Sequence, residues 1–87
     1  MNFSVYYDPA AQKDVKKLSR DLASRIMDKM DWFANQENPK IFAKSLSKPI
    51  ENAFRFRVGN YRAVVEFSDN KILVLRVLDR REVYKKI

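Results

Sequence analysis

The sequence predicts an α+β fold: an N-terminal strand, a two-helix hairpin, then a three-stranded antiparallel meander, forming one twisted sheet with helices on one face. Three features predict it. The chain opens on a short aromatic and β-branched stretch that stops at Asp8-Pro9, apolar residues then recur at helical spacing, and from Phe54 onward the period changes to two.

Phe3 to Tyr7 reads as the first strand. Asp8 is suited to cap a helix and Pro9 to occupy its first position, where a missing N–H costs nothing. Ala11, Val15 and Leu18 fall on one helical face, while Lys13, Lys16 and Lys17 fall largely elsewhere. Ser19-Arg20-Asp21 marks a break, after which Leu22, Ile26, Met30 and Phe33 repeat the helical spacing until Asn35 to Pro39 end it. Ile41 to Asn52 sustains neither period and is expected to be a connecting segment with room for a short helical turn. Phe54 to Val58 and Tyr61 to Phe67 flank Gly59-Asn60, the pattern of a hairpin. The apolar run from Ile72 to Leu78 reads as a strand buried on both faces.

A chain of 87 residues, 46% hydrophobic and 13% aromatic, is expected to form a single domain, 1–87, with one core. Eighteen Lys and Arg against eleven Asp and Glu leave a net charge of +7, which suits polyanionic partners. With no cysteine and no histidine, and few clustered carboxylates, no ligand set for zinc or paired magnesium stands out; neither metal nor cofactor is expected. The N-terminal residues lack the basic and apolar regions of a secretion signal, and no apolar run reaches membrane-spanning length, so a cytoplasmic protein is expected.

A two-residue Gly59-Asn60 loop sets Val58 opposite Tyr61, Arg57 opposite Arg62, Phe56 opposite Ala63 and Arg55 opposite Val64. Alternation then puts Phe54, Phe56, Val58, Tyr61, Ala63, Val65 and Phe67 on the core face and Arg55, Arg57 and Arg62 on the other. Directly opposed arginines repel, which costs stability unless an anion sits between them; the planar guanidinium fork matches phosphate oxygens. Glu66 shares that face and is a candidate counter-charge. The last strand has two possible registers. A two-residue Asp69-Asn70 turn puts Leu73, Leu75 and Val77 on the arginine face; a three-residue loop, the preferred reading, puts Arg76 and Leu78 there, with Arg80 following.

Phe54-Arg55-Phe56-Arg57-Val58-Gly59-Asn60-Tyr61-Arg62, the helices before it and the tail Leu78-Asp79-Arg80-Arg81-Glu82-Val83-Tyr84 together resemble the RelE branch of the RelE/ParE toxin superfamily, over essentially the whole chain. The resemblance implies a toxin of a type II toxin–antitoxin system: a ribosome-dependent mRNA endonuclease, neutralised by a cognate antitoxin protein. By the same resemblance, Arg55, Arg57 and Arg62 match the hairpin residues that hold the scissile phosphate, and Arg80 and Tyr84 match those that complete the site. Arg57, Arg62, Arg80 and Tyr84 are the catalytic candidates, while Arg55, with Arg76 from the strand register and the neighbouring Arg81, is a candidate for RNA binding. The chain departs from the family in carrying arginine at 55 and 57, where lysine is common, and Asp79, where related members have histidine. Arginine holds its proton, which leaves Tyr84 and Glu66 as candidate bases; Tyr84 is equally suited to stack on a nucleobase or to anchor the C-terminus. Met27, Met30 and Trp32 are expected to pack in the core or to line a groove for an antitoxin helix.

Two other functions fit the same residues: a ParE-like poison of DNA gyrase, and a catalytically silent module that binds nucleic acid or antitoxin. A gyrase poison has no need of a phosphate-activating cluster, so the hairpin arginines favour the nuclease.

Overall fold

A computed structural model of the chain describes residues 2–46 and 52–83. Ser4–Tyr7 forms β1. Its entry is tied down by Phe3 N–H donating to the Ala34 carbonyl and Ser4 N–H to the Asn70 carbonyl, each at 2.8 Å. Asp8 caps α1, Pro9–Lys16, its carboxylate accepting from Ala10 N–H at 3.4 Å with Pro9 in the first turn. Ser19 starts α2, Arg20–Ala34, by accepting from Leu22 N–H at 3.2 Å. The Ser19-Arg20-Asp21 break is thus a capping site, where a hydroxyl takes up one of the N–H groups a helix leaves unpaired.

After α2 comes a 3₁₀ turn, Pro39–Phe42, and then a strand that the sequence reading missed, β2, Ala43–Leu46. The expected connecting segment is therefore partly sheet. β2 has four residues, lies at the sheet edge and exposes Lys44 and Ser45, so it shows no apolar alternation. β3 (Ala53–Val58), β4 (Tyr61–Ser68) and β5 (Lys71–Asp79) complete an open five-stranded sheet of order β1-β5-β4-β3-β2. β1 runs parallel to β5, and the other neighbours are antiparallel. β5 thus lies inside the sheet, as its continuous apolar run requires.

The helices cover one face. Ala11 of α1 and Ile26, Met30 and Phe33 of α2 pack with Phe56, Ala63, Val65, Ile72, Val74 and Val77 in the main core. Phe33 stacks on Phe56 with centroids 4.1 Å apart and planes at 15°. Met30 is fully buried, whereas Met27 and Trp32 are exposed. The Tyr7 hydroxyl is buried without a hydrogen-bond partner, and burial, with Asp31 nearby, pushes its pKa up to about 12.

The opposite face carries a second, smaller cluster of Leu46, Ala53, Val64, Leu78 and Val83, with Leu75 packed against it. Its register corrects the reading of the last turn. Ser68 pairs with Lys71, so the β4–β5 loop has two residues, Asp69 and Asn70, and not three. Asp69 takes φ 52°, a left-handed conformation that short polar side chains tolerate. Leu78 nonetheless reaches the arginine face, because Val64 pairs with Arg76 and Val65 with Val74, leaving Leu75 as an extra residue in a bulge. One inserted residue inverts the alternation beyond it, which no turn-based register could anticipate.

β1 accompanies β5 only as far as the pairing of Tyr7 with Val74. Beyond it, Asp14 of α1 takes over the open edge: Oδ2 accepts from Val77 N–H at 2.9 Å and from Arg76 Nε at 2.8 Å, and Oδ1 accepts from Arg76 Nη2 at 3.0 Å. Burial alone would raise the Asp14 pKa, but the hydrogen bonds from Arg76 and Val77 outweigh it and hold the carboxyl below its ordinary value. Among the described residues, no helix is long and apolar enough to cross a membrane.

Candidate nucleic-acid interface

The β3–β4 hairpin has the register read from the sequence: Val58 opposite Tyr61, Arg57 opposite Arg62, Phe56 opposite Ala63, Arg55 opposite Val64. Gly59 opens the loop at φ 59°, the region that glycine enters without a steric penalty. The like-charge pair is therefore present at Arg57 and Arg62. Arg62 is held against the turn by its own Nη1, which donates to the Gly59 carbonyl at 3.1 Å and the Tyr61 carbonyl at 3.0 Å. Burial, followed by the charges of Arg57, Arg55 and Arg80, pushes the Arg62 pKa down, with Asp79 opposing. An anion placed here meets several guanidiniums that repel one another in its absence.

The new strand enlarges this cluster. Lys44 of β2 stands directly opposite Arg55, so a second pair of like charges lies beside the first. Phe42, Lys44, Arg55, Arg57 and Arg62 together line a recess of about 290 Å³. Among the described residues, no carboxylate lines it. Arg57 also borders a larger groove of about 620 Å³ under α2, but Asp21 and Asp28 share that lining and make it a poorer seat for a polyanion. Phe42 is exposed and meets Trp32 edge to face at 5.2 Å, giving the recess an aromatic lip.

The remaining expected residues are distributed differently. Arg80 N–H donates to the Asn60 carbonyl at 2.8 Å, which fastens the segment after β5 to the hairpin turn and sets the Arg80 charge near Arg62. Arg81 lies outside the recess and pairs with Asp79, Nε to Oδ1 at 3.1 Å. Asp79 also accepts from Arg81 N–H at 2.8 Å, and these contacts, the backbone one first, lower its pKa. Asp79 is thus a turn-forming residue. Arg76 is not brought to the recess; its Nε and Nη2 donate to the Asp14 carboxylate. Glu66 lies on the arginine face opposite Ala53, outside the recess lining, and forms no ion pair with Arg62 among the described residues. Tyr84 lies outside the described residues; Val83 before it is buried in the second cluster. No group of three or more His, Cys, Asp or Glu among the described residues could hold a metal ion.

Phe42 and Lys44 are the site residues that sequence reading missed. Their signal is weak: one lysine and one phenylalanine in a segment with no period, which acquire meaning only when β2 pairs with β3.

A sequence search of curated proteins finds no match. Solved structures with the same fold include a toxin–antitoxin complex, RelBE2, from Mycobacterium tuberculosis (TM-score 0.76, 24% identity, covering 92% of this chain and 100% of that one). A RelB–RelE complex from Methanococcus jannaschii matches with TM-score 0.69 and 27% identity, over 92% of this chain and 95% of that one. A mutant of the E. coli toxin RelE in the free state matches with TM-score 0.76 and 23% identity, over 99% and 94%. The family model described as the ParE toxin of type II toxin–antitoxin systems matches residues 5–84. The chain therefore belongs to the ParE toxin family of type II toxin–antitoxin systems, within the RelE/ParE superfamily.

Proposed function

We propose that this toxin is an endoribonuclease that cuts mRNA on the ribosome in the cytoplasm, and is held inactive by a cognate antitoxin. The observation that carries the reading is the recess, in which Lys44, Arg55, Arg57 and Arg62 converge, with no carboxylate among the described residues that line it. Such an arrangement costs folding energy through two opposed like-charge pairs, and a phosphodiester seated in it offsets that cost. Cleavage needs no metal: the ribose 2′-oxygen attacks the adjacent phosphorus in line, and the guanidiniums neutralise the charge that grows on the pentavalent phosphorane. Arg57 and Arg62 hold the scissile phosphate between them, Arg80 adds its field from the neighbouring turn, and Arg55 and Arg81 contact flanking phosphates. Arg76 serves the fold through Asp14, and Tyr84 is proposed to complete the site from the C-terminal segment.

A second reading is a gyrase poison, favoured by the family model, which is that of a ParE toxin. Primer extension on ribosome-bound mRNA, run beside a DNA supercoiling assay, separates the two. The nuclease reading predicts new mRNA 5′ ends at the ribosomal A site and undisturbed supercoiling. Intact mRNA with inhibited gyrase contradicts it.

A further inference from the structure

The recess holds three arginines and one lysine. This distinction has chemical content: a guanidinium keeps its proton in proteins, whereas an ammonium can give one up. Transesterification requires such a group, because the 5′-oxygen leaves as an alkoxide unless it is protonated as the P–O5′ bond breaks. The basic residues of the hairpin are Arg55, Arg57 and Arg62, so the hairpin itself offers charge but no transferable proton.

Lys44 is placed to supply it. It lies on β2 directly opposite Arg55, and opposed residues on neighbouring strands have Cβ atoms roughly 4.5–5.5 Å apart. Its side chain lines the same recess as Arg57 and Arg62, and it is exposed and absent from the ion pairs that engage Arg76 and Arg81. We propose that Lys44 is the general acid of the cleavage reaction, an assignment that rests on the nuclease reading above. The 2′-oxygen forms its bond to phosphorus while the 2′ proton passes to a solvent water. The P–O5′ bond breaks with its electron pair going to O5′. The Lys44 ammonium transfers a proton to O5′ and becomes an amine, which solvent reprotonates. The products are a 2′,3′-cyclic phosphate and a free 5′-hydroxyl, with no net change in protons.

The test uses Lys44→Arg, which keeps the charge but removes the transferable proton. Lys44 is an exposed residue of an edge strand, so the variant is expected to unfold at the same denaturant concentration as wild type. Single-turnover cleavage is measured on programmed ribosomes with two mRNAs: one natural, and one with sulfur replacing the bridging 5′-oxygen at the mapped cleavage site. A thiolate leaves without protonation. Lys44→Arg is expected to cut the natural linkage about a hundredfold or more slower than wild type, and the sulfur linkage at the wild-type rate. Equal rates for the two proteins on the natural linkage overturn the proposal. So does an equal loss on both linkages, which assigns Lys44 to binding or positioning. Failure of wild type to cut either mRNA is a different result, and removes the nuclease reading together with the assignment.

Discussion

Arg62 is unfavourable to the fold, and its place in the proposed site accounts for it. It faces Arg57 across the hairpin and feels Arg55 and Arg80 as well, and among the described residues its hydrogen bonds go to two carbonyls of the turn. Those contacts are partly solvated and contribute little, about 1 kcal/mol or less, against a repulsion of similar size. Arg62→Ala is therefore expected to shift stability by no more than about 1 kcal/mol while lowering cleavage by about a hundredfold or more. Urea unfolding and single-turnover cleavage measure the two effects. A marked fall in the unfolding midpoint would make Arg62 structural. The opposed pair was legible from alternation and a two-residue loop alone. Lys44 was not, since a single charged residue in an aperiodic segment carries no information until its strand partner is known.

At the scale of elements, α1 does more than cover the sheet. Its Asp14 occupies the edge that β1 leaves open, and its carboxylate satisfies both Val77 N–H and the Arg76 guanidinium. The Asp14 side chain is only 10% exposed, so loss of the pair leaves Arg76 without its partner at a largely dry contact. Asp14→Asn is expected to cost about 1–3 kcal/mol at neutral pH. The Asp14 pKa is depressed in the folded state, so its contribution is complete above the unfolded-state value and disappears as pH falls through the folded one. The wild-type advantage in urea unfolding should accordingly shrink toward zero in strong acid; an advantage that persists there would contradict the ion-pair account. The helices, the Asp8 cap, the break at Ser19 and the hairpin were all readable, because capping and periodicity are local; that Ser19 itself caps α2 came from the structure. β2 and the bulge at Leu75 were not, because neither leaves a periodic signal and each is defined only by its strand partner; nor was the Asp14–Arg76 pair, whose members meet across 62 positions.

Across the whole molecule, the helices close one face of the sheet, while the other face combines a small apolar patch with a cationic recess. The net charge of +7 attracts RNA of any sequence through phosphate contacts, so binding alone should be salt-sensitive and unselective. Cleavage asks for more. On the proposed nuclease reading the recess supplies charge neutralisation and, through Lys44, a proton for the leaving oxygen, while no carboxylate among the described residues lines it to take the 2′ proton and the chain has no histidine. In the proposed reaction that proton goes to water, and the in-line geometry is assigned to the ribosome, which holds the mRNA in a fixed conformation. The decisive measurement is the single-turnover rate for one mRNA, free in solution and then programmed into ribosomes, with toxin saturating in both cases. The account predicts tight, salt-dependent binding of the free RNA with cleavage slower by several orders of magnitude than on the ribosome. Equal rates would contradict it, because the chain would then carry a complete active site of its own.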